Sequence, residues 1–170
     1  MVLIWLQLIA CMAHSPTHLK REQAANFSVV LTAENIQQDE EILLPNAIAK
    51  TINERLKAHM INGIHLNELP KGYSSVKNAE KRAELIPAPN RLTIDFQTEY
   101  YSQIAGRFRW VVHATILLQE SEQLTVQQIT VPVFHKFGHL QDVASIESAL
   151  PKVLNEVSLM VNEHIHGSQK

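Results

Sequence analysis

The residues that could do chemistry here are histidines, one cysteine, a pair of strand-borne carboxylates and a group of arginines and tyrosines. Nine histidines occur, and two pairs invite a metal reading: His135 and His139 in FHKFGH, and His164 and His166 in EHIHG. A H-x3-H pair ligates metal when it lies on one helix face. The first pair instead spans the end of an expected strand and a glycine loop, with Asp142 the only nearby residue to extend a ligand set. The second pair reads as a solvated helix end, where cationic side chains suit the helix dipole. Asp95 and Glu99 fall on one face of an expected strand, the usual place for solvated carboxylates. The sequence has no G-x-S-x-G elbow, no CxxC and no Walker-type or dinucleotide-binding glycine pattern. The expectation is therefore no catalytic residue, no metal and no cofactor.

Cys11 is informative through its position. Val2 to Met12 (VLIWLQLIACM) is apolar except for Gln7. Such a stretch is too short for a ~30 Å hydrocarbon core, which needs about 20 helical residues, but it has the length of the apolar part of an export signal. Leu8-Ile9-Ala10-Cys11 closes it and resembles the bacterial lipobox. That resemblance implies an acylated Cys11 after removal of residues 1–10, and hence no catalytic thiol. Each buried methylene contributes ~0.8 kcal/mol, so two or more chains hold a domain on a bilayer stably. The polar run AHSPTHLKREQAAN follows without helix or strand period and reads as a tether over residues 11–26. The competing reading of Val2–Met12 is a buried first strand or helix with a core cysteine.

Arg91, Arg107 and Arg109, with Tyr100 and Tyr101, are the candidates for a binding patch on an exposed sheet face. Guanidinium groups bind phosphate in a bidentate fork, and tyrosine offers amphipathic contact area. Such a patch would suit anionic head groups or a protein partner. The plainer reading is a solvated face with edge-protecting charges.

The elements that must position these residues follow from periodicity. Phe27, Val29 and Leu31 alternate as a strand, and ENIQQDEE (34–41) reads as a loop. Ile48, Ile52, Leu56 and Met60 form a helical stripe after Pro45, ended by Asn62-Gly63 as a C-terminal cap. Ile64 to Leu69 is a second expected strand, and Lys71 to Asn90 a long loop with a short helix around Val76–Leu85. A three-strand meander comes next. Leu92, Ile94 and Phe96 carry its first strand, and Phe108 to Leu118 its second, after a turn at Ala105-Gly106. Its third strand puts Leu124 and Val126 on one face and then Ile129, Val131 and Val133, a phase slip that predicts a bulge at Gln127-Gln128. Pro132, which lacks a donor, places that strand at an edge or puts a bulge there. A final helix over Ser145–His164 carries Ile146, Leu150, Val153, Val157, Met160 and Val161, with Pro151 near its first turn. The order β-α-β-β-β-β-α predicts a single α+β domain over residues 27–166. It should be a two-layer sandwich, with a mainly antiparallel sheet and two amphipathic helices on one face.

Length and composition agree with one domain. The chain has 170 residues, 45% hydrophobic and 19% charged, with net charge -2 and pI near 6.5. A domain of this size buries roughly 70% of its unfolded surface and needs no metal or disulfide. The absence of a basic excess argues against nucleic acid as a partner.

The layout of lipobox-type Cys11, tether and β-α-β…β-β-β-α domain resembles the LptE-type lipopolysaccharide-assembly lipoproteins. The residues that carry the resemblance are FSVVLTAE, PNAIAKTINERLKAHMINGIHL, RFRWVVHATILLQESEQLTVQQITVPVF and the closing helix. It implies an outer-membrane lipoprotein on the periplasmic side, with an LptD-like β-barrel partner and lipopolysaccharide or phospholipid as ligand. The run KFGHLQDVASIESALPKVL is also similar to PqiC-type auxiliary lipoproteins of envelope lipid transport.

Overall fold

The computed structural model describes residues 27–57, 61–66, 81, 90–120, 123–136 and 141–167. Cys11, the tether and His139 lie outside these residues, and of the expected short helix around Val76–Leu85 only Lys81, which is helical, lies within them. The elements run β1 (Phe27–Asn35), β2 (Glu40–Glu41), α1 (Asn46–Leu56), β3 (Ile61–Leu66), β4 (Asn90–Ile104), β5 (Arg107–Glu120), β6 (Gln123–His135) and α2 (Asp142–Gly167). They make an α+β fold of two helices on one six-stranded sheet.

The sheet order is β2-β1-β4-β5-β6, with β3 also paired to β1. β1 is parallel to both β3 and β4, while β4-β5-β6 is an antiparallel meander. The sheet is thus mixed, because the β1-α1-β3 crossover returns the chain parallel to its start. β1 is buried along both faces, as a central parallel strand must be, so its sequence FSVVLTA is nearly continuous in apolar residues.

One face of the sheet, the inner one, meets the helices. Val29, Leu31, Leu92, Ile94, Phe96, Val112, Ala114, Ile116 and Val131 pack there against Ile48, Ile52 and Leu56 of α1 and Ile146, Leu150, Val153 and Val157 of α2. Every residue of the expected α2 stripe is buried, and so are those of α1 as far as Leu56. α2 begins one turn earlier than its apolar stripe, at Asp142, so Pro151 stands inside the helix rather than near its start. The helix continues through it because both flanks bury apolar side chains on the sheet.

Three local expectations are corrected. Asn62 and Gly63 lie in β3, where Gly63 pairs with Ser28, and do not cap α1. β6 has no bulge: its pairing with β5 runs without a slip from Glu120↔Gln123 to Phe108↔His135. Leu124 and Val126 sit on the outer face, and Gln127 occupies an inner-face position because its amide donates to Glu156 Oε2 at 3.0 Å. Finally, the centre of the outer face is not open, since Val30, Thr32, Arg91, Thr93, Asp95, Val111 and Leu117 are all buried. No helix among the described residues is long and apolar enough to cross a membrane.

Candidate functional site

The β4-β5 hairpin turns through two residues of positive φ, Ala105 (51°) and Gly106 (75°). That is the pattern of a type I′ turn, whose twist matches the strands it joins. Just before it the register slips between Tyr100 and Ser102, so Tyr101 is an extra residue on β4. This is the bulge of the meander, and it separates the two tyrosines. Tyr100 turns to the inner face, where its ring meets Phe108 (centroids 6.2 Å apart) and Trp110 (5.7 Å, edge-on). Tyr101 is 61% exposed, and the Arg109 guanidinium lies over its ring, 4.5 Å from the centroid. Such cation–π contacts contribute ~0.5–1 kcal/mol at exposed sites. Arg107 is exposed beside the turn.

Arg91 does not join this group. It pairs with Gln119 at the far end of the hairpin, about 40 Å from Arg107 at ~3.3 Å per strand residue. It is also only 1% exposed, with Nε donating to Thr93 Oγ1 at 3.0 Å and Nη2 to Gln119 Oε1 at 2.9 Å. The five-residue patch therefore reduces to Arg107, Arg109 and Tyr101. Asp95, expected to be solvated, is 2% exposed and accepts the Thr32 hydroxyl at 2.6 Å. Glu99 stays partly exposed, 3.3 Å from His113 Nε2, while His113 Nδ1 is 3.0 Å from Thr130 Oγ1.

His135 Nε2 lies 2.9 Å from Ser145 Oγ. A His–Ser contact at this distance is the geometry of an activated hydroxyl. Ser145 is completely buried, however, which closes it to a substrate. Burial holds the His135 imidazole below its ordinary pKa of 6.5, because the charged form is penalised away from water. Asp142, weighed above as a metal ligand, instead accepts the Asn35 amide at 2.9 Å and the Thr98 hydroxyl through one oxygen. Among the described residues no group of three or more metal-ligating side chains comes together.

One concavity escaped the sequence reading. At the turn end of the inner face, a cavity of about 370 Å³ is lined by Tyr100, Phe108, Trp110, Asp142 and the β1-β2 turn residues Asn35, Gln37 and Gln38. Asn35 Oδ1 organises that turn by accepting the Gln37 and Gln38 amides at 3.0 and 3.1 Å. Gln37 behaves as a surrogate strand: its side-chain amide donates to the Tyr100 carbonyl at 2.7 Å and accepts the Tyr100 N–H at 3.0 Å. The polar run ENIQQDEE gave no sign of this, and the alternation from Phe108 to Leu118 marked a strand but not a cavity wall.

No known family profile matches the chain, and no curated protein matches it in sequence. Solved structures with a similar arrangement include a hypothetical protein from Chlamydia trachomatis, with TM-score 0.41 and 10% identity over 82% of this chain and 97% of that one. Others are the rare lipoprotein B from Shewanella oneidensis (TM-score 0.31, 6% identity, 84% and 96%) and a minor lipoprotein from Acinetobacter baumannii (TM-score 0.33, 6% identity, 83% and 94%).

Proposed function

We propose that this chain is a non-enzymatic lipoprotein of the outer membrane, held on the periplasmic side through Cys11, that assists lipopolysaccharide assembly by binding a β-barrel partner. The observation that carries this reading is Leu8-Ile9-Ala10-Cys11 at the close of an apolar run, followed by a polar stretch and then the domain from Phe27. Thioether-linked diacylglycerol plus an amide-linked chain would supply more than the two hydrophobic anchors that stable attachment requires. Arg107, Arg109 and Tyr101 supply the exposed surface suited to an anionic head group or partner, and Arg109 is already oriented by the Tyr101 ring.

Intact-mass measurement on protein from its native host tests the anchor. The expected species begins at Cys11 and carries the mass of added acyl chains in the membrane fraction. A full-length, unmodified species in the soluble fraction would end the proposal.

A further inference from the structure

We infer that the cavity between the β1-β2 turn and the start of α2 binds an organic ammonium group. This inference is independent of whether Cys11 carries lipid. One wall is aromatic: Tyr100, Phe108 and Trp110 all line the cavity, with Tyr100 tilted against Phe108 and edge-on to Trp110. Aromatic faces attract cations through their quadrupoles. The lining holds a single charged group, the Asp142 carboxylate, and no Lys, Arg or His among the described residues. Asn35 and Thr98 fix one Asp142 oxygen, leaving the other without a partner among the described residues. The carboxylate is thus held in place before any ligand arrives.

The remaining lining chemistry decides between ligand classes. An anion would face the Asp142 carboxylate with no Lys, Arg or His among the described lining residues to offset it. A neutral polyol needs several uncommitted donors and acceptors, yet Asn35 and Gln37 are already consumed by the turn and by the Tyr100 backbone. Besides the second Asp142 oxygen, the Gln38 amide, the Tyr100 hydroxyl and the buried Trp110 Nε1–H remain, and none of these answers the carboxylate charge. A purely apolar ligand would cover Asp142 without compensating it. An alkylammonium satisfies both wall and carboxylate, and about 370 Å³ lies within the size range of small-ligand sites. Its source is either a free amine or the choline- or ethanolamine-type head group of a lipid.

The test is titration of the full chain followed through the indole N–H resonance of Trp110, assigned with Trp110→Phe. Choline and tetramethylammonium should shift this resonance saturably, with Kd of about 1 mM or tighter. The uncharged carbon analogue 3,3-dimethyl-1-butanol should bind at least about tenfold more weakly. Asp142→Asn should weaken choline by about tenfold while leaving the unliganded spectrum folded. Tighter binding of a short-chain phosphatidylcholine than of choline upholds the site and assigns it to a lipid head group; the reverse order upholds it for a free amine. Equal binding of choline and its carbon analogue, stronger binding of glucose, or no shift at all overturns the inference. The analogue comparison uses the unaltered chain, so it stands even if Asp142→Asn unfolds.

Discussion

Arg91 and Arg107 look equivalent in the sequence, each a cation alternating with apolar neighbours, and the fold gives them opposite fates. Arg91 is buried with partners on two strands, while Arg107 faces water beside a turn. Removing the first strands the buried polar groups it satisfies, so Arg91→Leu should cost about 2–4 kcal/mol. Arg107→Glu should stay within about 0.5 kcal/mol. Urea midpoints of the two variants give the comparison, and similar midpoints would contradict the placement of Arg91. The same reasoning explains why Asp95 resembled a solvated position. Polar side chains at every second residue signal a wet face unless distant partners satisfy them, and the Thr32–Asp95 contact joins residues 63 positions apart. His135 has a pH signature. Its folded-state pKa lies below 6.5, so below that value the unfolded chain takes up the proton first. Its contribution is fully present above pH 6.5 and declines as pH falls through that value toward the depressed folded one. Midpoints measured between pH 7.5 and 5 should fall less steeply for His135→Gln than for the parent. Parallel curves would remove His135 from the account.

At the scale of elements, the meander was the most legible part, because Leu92–Phe96 and Phe108–Leu118 alternate cleanly and bury one face on the helices. The errors fell where apolar residues change face without a change in backbone. Leu124 and Val126 are outer-face residues of an unbroken strand, and the true slip sits at Tyr101, where two adjacent tyrosines hide the phase. Of the two alternatives that Pro132 left, edge or bulge, the edge holds, since β6 ends the sheet and pairs with β5 without a slip. Which strands flank β1 had no local signal, for pairing partners far apart in sequence leave no periodicity. The hairpin turn supplies the prediction for this scale. Ala105 adopts φ 51°, a left-handed conformation in which a Cβ is unfavourable. Ala105→Gly should therefore stabilise the domain by about 0.5–1 kcal/mol, read as a raised thermal midpoint; a lowered midpoint would argue against this turn geometry.

For the whole molecule, the two faces of the sheet carry different surfaces at the turn end of the hairpin. Arg107, Arg109 and Tyr101 cluster at one end on the outer face, and the aromatic cavity opens on the inner face of that same end. If this surface engages a partner, Arg107→Glu/Arg109→Glu should reduce co-purification of a β-barrel from envelope extracts about tenfold or more, with thermal stability kept. Undiminished recovery would return these arginines to ordinary surface residues. The central position of β1 carries a further consequence, for the time before the domain is complete. Ribosomes deliver the segment FSVVLTA early, yet its neighbour β4 begins only at Asn90. A stretch destined for burial on both sides must wait roughly sixty residues for its second flank, and exposed β-prone segments of that kind seek one another. During biogenesis this protein should therefore depend on holding factors that shield Phe27–Ala33, and crowding of nascent chains should be its point of greatest vulnerability.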